Sequence, residues 1–529
     1  MKLVLHGSVV TMNAAYDVWP DGAVYIDGNQ IVSAGDRAAP APQGFAGAQV
    51  VETGGFIFPG LIELHNHLSY DALPMWQVPK LYKNRGQWQN DKDYVRSVSA
   101  PMTTIANSKD PHLLAAVARY AETKCLLGGV TASEGISLKS DQLQAYYHGA
   151  VRAVDDPNDA QFHRATTHIP DVEASQWAQF KKEVDKASCL LLHLSEGLDD
   201  EARSAFLALN NGTEWAIGPA LAGIHCAALK PQDFAVMAQY KASMVWSPLS
   251  NLLLYGGTAD VKSARAAGVP VALGSDWSPS GSKNLLNELK IAMIVNEISQ
   301  IGLSDRDIVA MATSTPAAIV KWGALIGTIE PSKRADITVI AAPPSTDPYA
   351  ALIGAKETDV VLVLVDGRPV IGTKDLMSGL AVAGEALVLG SDTRVVDYGP
   401  NDPKVLPITF ADASAALTDA LQRLPTLLAD EKRGQGTAGR SLTAAAKPEM
   451  RLALDEEHLS GFALRPRLPL AGQHTGPDAR ILTAAAAAPP PKSLSLDPVC
   501  VADDAAYGGR LQSQLNLPPA IEQALKAYY

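Results

Sequence analysis

The feature that most restricts the fold of this chain is a long central region in which short apolar runs alternate with helical patterns such as His112–Leu127 and Asn284–Ser299. Eight of the runs are typical of buried strands: Leu61–His67, Val130–Ile136, Gly149–Val154, Phe162–Ile169, Cys189–Ser195, Leu221–Cys226, Ser243–Ser247 and Pro270–Asp276. This alternation predicts parallel βα units, and eight of them suit a closed (β/α)8 barrel of the α/β class. An open doubly wound sheet is the rival arrangement, and strand count alone separates the two weakly.

The two ends of this region have a different texture. Short β-rich runs with hairpin signals, Asp27-Gly28 and Asp366-Gly367, occur on both sides of it. We therefore predict a small β-sandwich domain formed by residues 1–57 and 327–399, a barrel formed by residues 58–326, and a C-terminal extension of unknown role at residues 400–529. Within the extension, the alanine- and proline-rich stretch 483–491 is typical of a linker.

Composition narrows the partners of the chain. Its 529 residues are 47% hydrophobic and 19% charged, as in ordinary globular proteins, and the net charge of −12 argues against a nucleic-acid partner. The sequence has no apolar run long enough to cross a membrane, and its four cysteines form no disulfide framework. We expect a cytoplasmic protein that binds a small molecule, and a homo-oligomer is left open.

Histidines and one aspartate stand at the predicted strand ends. His65 and His67 share a face of the first strand, since alternate strand residues point the same way, and His193 and His225 close the fifth and sixth strands. Asp276 ends the eighth strand. Taken alone, an HxH pair could be solvated and a single strand histidine is more often a core residue. Together these groups converge at one barrel mouth, because strands eight and one are neighbours, and they predict a site for one divalent metal.

These motifs resemble those of the amidohydrolase superfamily, in the branch that contains cytosine, guanine and triazine-type metal-dependent deaminases and hydrolases. The resemblance covers roughly residues 1–375. It rests on the segments Pro59–Ile62, His65–His67, His193–Glu196, His225 and Ser275-Asp276, with softer agreement at Ser247–Asn251 and at residues 327–336. It implies a barrel with a β-sandwich built from both chain ends, which agrees with the pattern described above.

The resemblance also implies roles for individual residues. His65, His67, His193 and Asp276 would hold one metal ion, with zinc expected first and iron also suited to these ligands. Glu196 would shuttle protons between water and the leaving amine. His225 would polarise the group under attack, and Asp276 would also orient the attacking water and accept its proton. The fourth predicted strand contains no lysine that could be carboxylated to bridge a second metal.

Three functions fit this pattern. The leading hypothesis is hydrolytic deamination of an aminated heterocycle by metal-activated water. The second is hydrolysis of an amide, carbamate or cyclic amide at the same site, which would release an acid and an amine instead of ammonia. The third is a non-catalytic binding protein; it is disfavoured because each ligand position of the family pattern is filled.

Substrate contacts are expected in the long segment between His67 and the helix that starts near His112, since long loops in compact folds are commonly binding loops. Its aromatic residues, among them Tyr70, Trp76 and Trp88, could stack on a flat heterocycle or form a small core of the loop itself. Arg85 is a candidate anion contact. His168, near the end of the fourth strand, could line the pocket or serve a structural role.

Overall fold

The computed structural model of the chain describes residues 2–108, 110–140, 144–169, 171–172, 174–341, 343, 346–400, 402–429, 450–454 and 492–528. The linker predicted at 483–491 lies outside the described residues. Within the described residues, no helix combines the length and the apolar character needed to cross a membrane.

All eight strands predicted for the central region are present, and we refer to them as parallel strands 1 to 8. In chain order they are Leu61–Ile62, Val130–Ser133, Arg152–Ala153, Ala165–His168, Cys189–Leu194, Leu221–His225, Ser243–Trp246 and Val271–Leu273. Parallel strands 1 to 3 form one sheet and parallel strands 4 to 8 form another. Both sheets are parallel throughout, as alternating βα units require.

Backbone hydrogen bonds connect the two sheets at both of their edges. The Ala165 amide of parallel strand 4 donates to the carbonyl oxygen of Val154, just past parallel strand 3, over 2.9 Å. At the other edge, the Asp276 amide donates to the carbonyl oxygen of His65 over 3.0 Å, and Asn66 and Asp276 form a parallel bridge. The residues that follow parallel strands 8 and 1 are therefore adjacent in space.

Helices occupy most of the connections between these strands. The α-helices described are Arg85–Trp88, Lys92–Tyr94, Ala100–Ala106, Pro111–Leu127, Trp177–Lys186, Asp200–Leu207, Pro231–Gln239, Pro248–Tyr255, Val261–Ala267, Leu285–Ser299, Asp305–Ala310, Ser314–Ile319, Pro348–Gly354, Lys374–Gly379, Phe410–Gln422, Tyr507–Gln512 and Pro519–Leu525. Short 3-10 helices are Leu68–Tyr70, Ala174–Gln176, Glu357–Asp359 and Val501–Asp503, and Val95–Ser99 is a π-helical turn. The long helix Pro111–Leu127 begins where the Asp110 side chain accepts from the His112 amide and where proline occupies the first turn.

The strands from both ends of the chain belong to one nine-stranded sheet. Its strands are Lys2–Val10, Val18–Asp27, Gln30–Asp36, Gln49–Pro59, Ile337–Ile340, Val360–Val365, Arg368–Thr373, Glu385–Leu389 and Asp392–Val396. The two ends join where Ile337–Ile340 pairs antiparallel with Gln49–Pro59. A smaller sheet contains Ser137–Lys139, Gln144–Tyr146 and Arg451–Leu452, so part of the C-terminal extension pairs with the central region.

Candidate active site

The predicted site residues meet beyond the carboxyl ends of the parallel strands. The ring centroid of His65 lies 4.8 Å from that of His193 and 4.8 Å from that of His225, and His67 lies 5.2 Å from His193. His65 is completely buried, and Asp276 is 4% exposed. The strands therefore bring the four histidines and the aspartate into one cluster that is largely shielded from solvent.

The donor atoms of this cluster suit a divalent metal. His65 Nε2 and His67 Nε2 each lie 3.4 Å from Asp276 Oδ1, and His65 Nε2 lies 3.1 Å from His193 Nε2. Two overlapping groups, His65–His67–Asp276 and His65–His193–His225, have ligand atoms within 4.8 Å of one another. Imidazole nitrogens and a carboxylate oxygen that converge in a buried space are a ligand set that zinc and iron accept.

The environment keeps these ligands in a form that can bind a cation. Burial, helped by neighbouring positive groups, lowers the pKa of His65 and of His193 well below the ordinary histidine value. Both rings are therefore neutral at physiological pH and retain a lone pair for a metal. The Nδ1 atom of His65 lies 2.7 Å from Ser247 Oγ, a contact that fixes the ring and turns Nε2 toward the cluster.

A chain of hydrogen bonds reaches Nδ1 of His225. The indole Nε1 of Trp246 donates to Thr258 Oγ1 over 2.8 Å, and the threonine hydroxyl donates to Asn251 Oδ1 over 3.2 Å. The Asn251 amide nitrogen then donates to His225 Nδ1 over 3.0 Å. A neutral ring that accepts at Nδ1 carries its proton on Nε2, so His225 offers a hydrogen-bond donor and not a lone pair at that atom.

Glu196 stands beside the cluster in a polar cradle. Its Oε1 accepts a hydrogen bond from the Tyr255 hydroxyl over 2.7 Å, and that hydroxyl accepts from Trp88 Nε1 over 2.7 Å. Its Oε2 lies 3.7 Å from His225 Nε2 and 3.6 Å from Arg85 Nε. The carboxylate is thus oriented by residues from the long loop, from parallel strand 6 and from the helix Pro248–Tyr255.

Several residues at the strand ends have a left-handed backbone. The φ angles are 52° at Ser195, 64° at His225 and 68° at Asp276. Such values cost a non-glycine residue about 1–3 kcal/mol and concentrate at functional sites, where they aim side chains. The left-handed backbone at Ser195 ends parallel strand 5 at Leu194, one residue before its predicted end, and parallel strand 8 ends at Leu273, three residues before its predicted end at Asp276.

The cluster opens into a cleft of about 370 Å3. Its lining residues are His67, Tyr70, Arg85, Trp88, Gln89, Tyr94, Ile169, His193, Glu196, His225, Asp276 and Trp277. Tyr70 and Trp88, predicted as substrate contacts, are therefore among the lining residues. Trp76 is not; it packs behind Tyr94 with ring centroids 5.5 Å apart.

His168 is also absent from the residues described as lining the cleft, and its ring lies 6.0 Å from that of Phe180. Tyr94, another aromatic residue of the long segment in which substrate contacts are expected, also lines the cleft, whereas Trp277 lines it without having been predicted. Trp277 could have been found, because it directly follows Asp276 and a residue in that place must lie at the mouth of the strands.

Glu63 and Asn66 were also missed, and they form a cross-link behind the cluster. Glu63 Oε1 accepts from the Ser275 amide over 2.9 Å, and Glu63 Oε2 accepts from Asn66 Nδ2 over 3.1 Å. Burial raises the pKa of Glu63 to about 7. The link ties the segment that carries His65 and His67 to the segment that carries Asp276, so it fixes the spacing of the cluster.

Sequence comparison places the chain among known hydrolases. The model of the amidohydrolase family matches residues 56–370, more than half of the chain. A 5-methylthioadenosine/S-adenosylhomocysteine deaminase of Symbiobacterium thermophilum is 27% identical over 424 residues, which cover 69% of this chain and 93% of the relative. An enzyme of the same name from Desulfitobacterium hafniense is 24% identical over 420 residues, or 71% of this chain and 95% of the relative.

Structure comparison agrees on the fold. A zinc-bound adenosine deaminase from Xanthomonas campestris superposes with a TM-score of 0.59 at 19% identity and covers 80% of this chain and 98% of its own. An atrazine chlorohydrolase variant from Arthrobacter aurescens, in complex with zinc and atraton, gives 0.56 at 18% identity, with 72% and 98% covered. Escherichia coli guanine deaminase gives 0.53 at 18% identity, with 70% and 99% covered. The chain therefore belongs to the amidohydrolase family, as its motifs predict, and it is a metal-dependent hydrolase of carbon–nitrogen bonds.

Proposed function

We propose that the chain catalyses the hydrolytic deamination of an aminated heterocycle, and that aminopurines and their nucleosides are the first substrates to test. The observation that carries this proposal is the placement of Glu196, whose carboxylate faces the cleft beside the Nε2–H of His225 and the metal-binding cluster. The deaminase activity of the relatives in sequence and structure supports the same reaction.

We further propose that parallel strands 1 to 8 close into a (β/α)8 barrel. The hydrogen bonds at both edges of the two sheets support closure, because each edge is bonded to the other sheet. We keep the division predicted from the sequence, with a β domain from residues 1–57 and 327–399, a barrel at 58–326 and an extension at 400–529. The pairing of strands from both chain ends in one sheet supports that division.

The metal is proposed to be a single zinc ion held by His65, His67, His193 and Asp276. When bound, a divalent ion at this cluster supplies the Lewis acidity that lowers the pKa of water toward neutrality. We assign His225 to hydrogen bonding and not to the ligand set, because the amide nitrogen of Asn251 lies 3.0 Å from its Nδ1, an arrangement that favours a proton on Nε2. The zinc in the adenosine deaminase and the atrazine chlorohydrolase supports the choice of metal.

The protein groups divide the proton transfers among them. The Asp276 carboxylate accepts a proton from the attacking water, and the oxygen forms a bond to the ring carbon that bears the amino group. His225 donates a hydrogen bond from Nε2 to the charge that develops at the reacting centre. Glu196 takes the remaining proton of that oxygen and delivers it to the amino nitrogen, so that the carbon–nitrogen bond breaks, ammonia leaves and the ring carbonyl forms. The proton held by Asp276 passes to the neighbouring ring nitrogen, which received the electron pair of the ring C=N bond when the oxygen attacked.

The lining of the cleft fits a flat, apolar substrate. Trp88, Tyr94 and Trp277 present aromatic surfaces, with the ring centroid of Trp277 6.1 Å from that of Trp88 and 6.2 Å from that of Tyr94. Aromatic side chains bind planar heterocycles by offset or edge contacts, and a few polar groups then fix the orientation. We propose that Tyr70 and Trp88 contribute to this surface, whereas Trp76 and His168 act through packing.

An ammonia-release assay on the zinc-loaded protein tests the function. The panel contains aminopurine bases and nucleosides, aminopyrimidines and aminotriazines, with N-acyl and carbamate compounds followed in parallel by mass spectrometry. We expect ammonia from at least one heterocycle with the wild-type chain, and none above background with Glu196→Gln at unchanged metal content. Cleavage of an acyl compound to an acid and an amine, without ammonia from any heterocycle, would replace deamination by amide hydrolysis.

A further inference from the structure

The end of the described chain packs against the loop that forms one wall of the cleft. We call residues 492–528 the C-terminal segment and residues 68–99 the cleft loop. The Gln514 side chain accepts from the Val78 amide over 3.2 Å and donates to the Trp76 carbonyl oxygen over 3.0 Å. The Asn516 side chain donates to the carbonyl oxygens of Lys80 over 2.9 Å and of Leu253 over 2.8 Å.

These bonds satisfy backbone groups of the cleft loop that have no strand or helix partner. The stretch from Asp71 to Asn84 lies outside the described helices and strands, so its amides and carbonyls must find other partners when they are buried. Gln514 is 6% exposed and Val78 is completely buried. Water cannot reach these backbone groups, so the Gln514 side chain supplies their hydrogen bonds. The C-terminal segment therefore supplies the hydrogen-bond partners that a neighbouring strand would otherwise give to the backbone of the loop.

A buried ion cluster anchors the same segment. Asp497 Oδ2 lies 2.9 Å from Lys124 Nζ and 2.7 Å from Lys283 Nζ, and Asp504 Oδ2 lies 3.1 Å from Lys283 Nζ. The side chains of Lys124, Lys283, Asp497 and Asp504 are each between 1% and 3% exposed. Both lysines belong to the central region, and unpaired ammonium groups at such burial would be strongly destabilising.

The ion cluster reaches the cleft through two further contacts. Lys124 Nζ also donates to the Asp71 carbonyl oxygen over 2.8 Å and to Ser278 Oγ over 2.6 Å. Asp71 and Ser278 each directly follow an aromatic residue of the cleft, Tyr70 and Trp277, and Asp71 Oδ1 accepts from the Ser278 amide over 2.9 Å. Asp497 thus holds a cation that joins the start of the cleft loop to the turn after Asp276.

We propose that the C-terminal segment is an intramolecular clamp that orders the cleft loop for substrate binding, with Asp497 and Gln514 as its positioning residues. The first part of the cleft loop, from Trp76 to Lys80, is hydrogen-bonded to the clamp. The later part of the loop supplies Trp88 and Tyr94 to the cleft. Loosening the first part therefore weakens substrate binding, while the metal-binding cluster, which lies at the strand ends, keeps its geometry.

The first test is hydrogen–deuterium exchange on the full-length, zinc-loaded protein. Gln514→Ala removes two hydrogen bonds to the loop without changing charge, and we expect exchange about tenfold faster in peptides from 72–99. Asp497→Asn should act in the same region. The control is Glu522→Gln, which disrupts only a pair with Lys526 inside the clamp, at 3.5 Å, and should leave the loop unchanged.

Two outcomes of this experiment would overturn the clamp. Unchanged exchange of peptides 72–99 in Gln514→Ala would show that the loop is ordered without the segment. Exchange that is accelerated equally in the loop and in parallel strands 4 to 8 would show that the segment stabilises the whole domain and does not order the loop specifically.

The second test is kinetic, and it rests on the proposed deaminase function. For Gln514→Ala we expect KM to rise about tenfold and kcat to fall by a smaller factor, because the loop places aromatic residues in the cleft and also orients Glu196 through Trp88 and Tyr255. A lower kcat at unchanged KM would contradict the clamp. Silence of the wild-type chain on every heterocycle would reject the deaminase function alone, since the exchange experiment needs no substrate.

Discussion

At the scale of single residues, the ring of His225 is the end of a chain of three hydrogen bonds that begins at Trp246. Trp246 donates to Thr258, the Thr258 hydroxyl donates to Asn251 Oδ1, and the amide nitrogen of Asn251 donates to Nδ1 of His225. The proton of His225 is therefore held on Nε2, where it faces Glu196. A histidine at the end of a strand could bind a metal or donate a hydrogen bond, and the surrounding donors decide between the two roles.

Breaking this relay should lower the rate and spare the metal. In Asn251→Leu the donor to His225 Nδ1 is gone, both tautomers become accessible, and we expect kcat to fall roughly 10- to 100-fold, within the range seen for lost electrostatic stabilisation. Thr258→Val removes the next hydrogen bond along the chain, and we expect a smaller fall in kcat. Metal analysis should give wild-type occupancy for both variants. A wild-type kcat for Asn251→Leu would remove the relay from the mechanism.

Tyr255 should matter through Glu196. Tyr255→Phe removes the hydrogen bond to Glu196 Oε1, and because bonds to charged groups contribute about 1.5–3 kcal/mol we expect kcat to fall by roughly tenfold or more. The control is Tyr240→Phe, since Tyr240 does not line the cleft. Steady-state kinetics with the heterocycle that releases ammonia would give kcat for the two variants. Equal kcat values would show that Glu196 does not need the hydrogen bond from Tyr255.

Sequence reasoning reached the cluster because its residues follow apolar runs that mark strands. His65, His67 and His193 could be assigned to one mouth from period and strand order alone, and the family match confirms the family those motifs predict. The partners of Glu196 could not be predicted in this way. Tyr255 ends an apolar helix and Trp88 ends a four-residue helix within the long loop, and no periodicity indicates that their side chains meet.

At the scale of elements, the turn after Glu196 is locked to the cleft loop. The Leu198 amide donates to the carbonyl oxygen of Lys83 over 2.8 Å, and the Arg85 amide donates to that of Glu196 over 3.1 Å. Gly197, with φ of 142°, lies between them, and a Cβ atom there would meet Lys83 O at 2.5 Å. The backbone of the loop and the backbone of the turn touch at this glycine.

Gly197→Ala should therefore separate the two elements. We expect a fall in melting temperature and a loss of activity of at least tenfold, since alanine is strained at this φ and clashes with backbone atoms of the loop. Gly354→Ala, at the end of a helix with open space around it, serves as the control and should change neither quantity. An active Gly197→Ala enzyme of wild-type stability would show that the loop can move away without consequence.

The ends of the parallel strands could not be predicted from the sequence pattern. Alternation and apolar runs located all eight parallel strands, yet they ran on through Ser195 and Asp276, where the backbone turns left-handed. These residues still look like strand residues in the sequence, because the turn is imposed by tertiary contacts that aim their side chains. The predicted ends were wrong at these residues and also at parallel strands 2 and 3, which end at Ser133 and Ala153, whereas the existence of each strand was predicted correctly.

At the scale of the whole molecule, a bound metal should contribute to stability. A ligand that binds only the folded chain stabilises it by mass action, and a buried cluster from parallel strands 1, 5 and 8 exists only after folding. We expect chelation to lower the melting temperature by roughly 5–10 °C, and added zinc to restore it.

Differential scanning fluorimetry with parallel metal analysis would measure this effect. Asp276→Ala is the matched control: it lacks the carboxylate of the cluster and should respond little to the chelator. If the wild-type protein held its metal by analysis and still melted at the same temperature after the metal was stripped, the cluster would be preformed and the metal would add nothing to folding.

The position of the C-terminal segment could not be inferred from the sequence. Its contacts pair single residues across long separations, as between Lys124 and Asp497 or between Gln77 and Ser513, and such pairs leave no periodic signal. The composition of residues 492–528 also resembles that of an ordinary surface segment. Only the folded chain shows that these residues complete a buried charge cluster.

This arrangement has a consequence for synthesis on the ribosome. The Gln77 and Ser513 groups that bond to each other are separated by 436 residues, and at 5–20 residues per second the second emerges about 20–90 s after the first. Lys124 likewise lacks its ion-pair partner until Asp497 is made, 373 residues later. The contacts that hold the cleft loop should therefore form late in folding, even though the four histidines of the cluster lie in the first half of the chain.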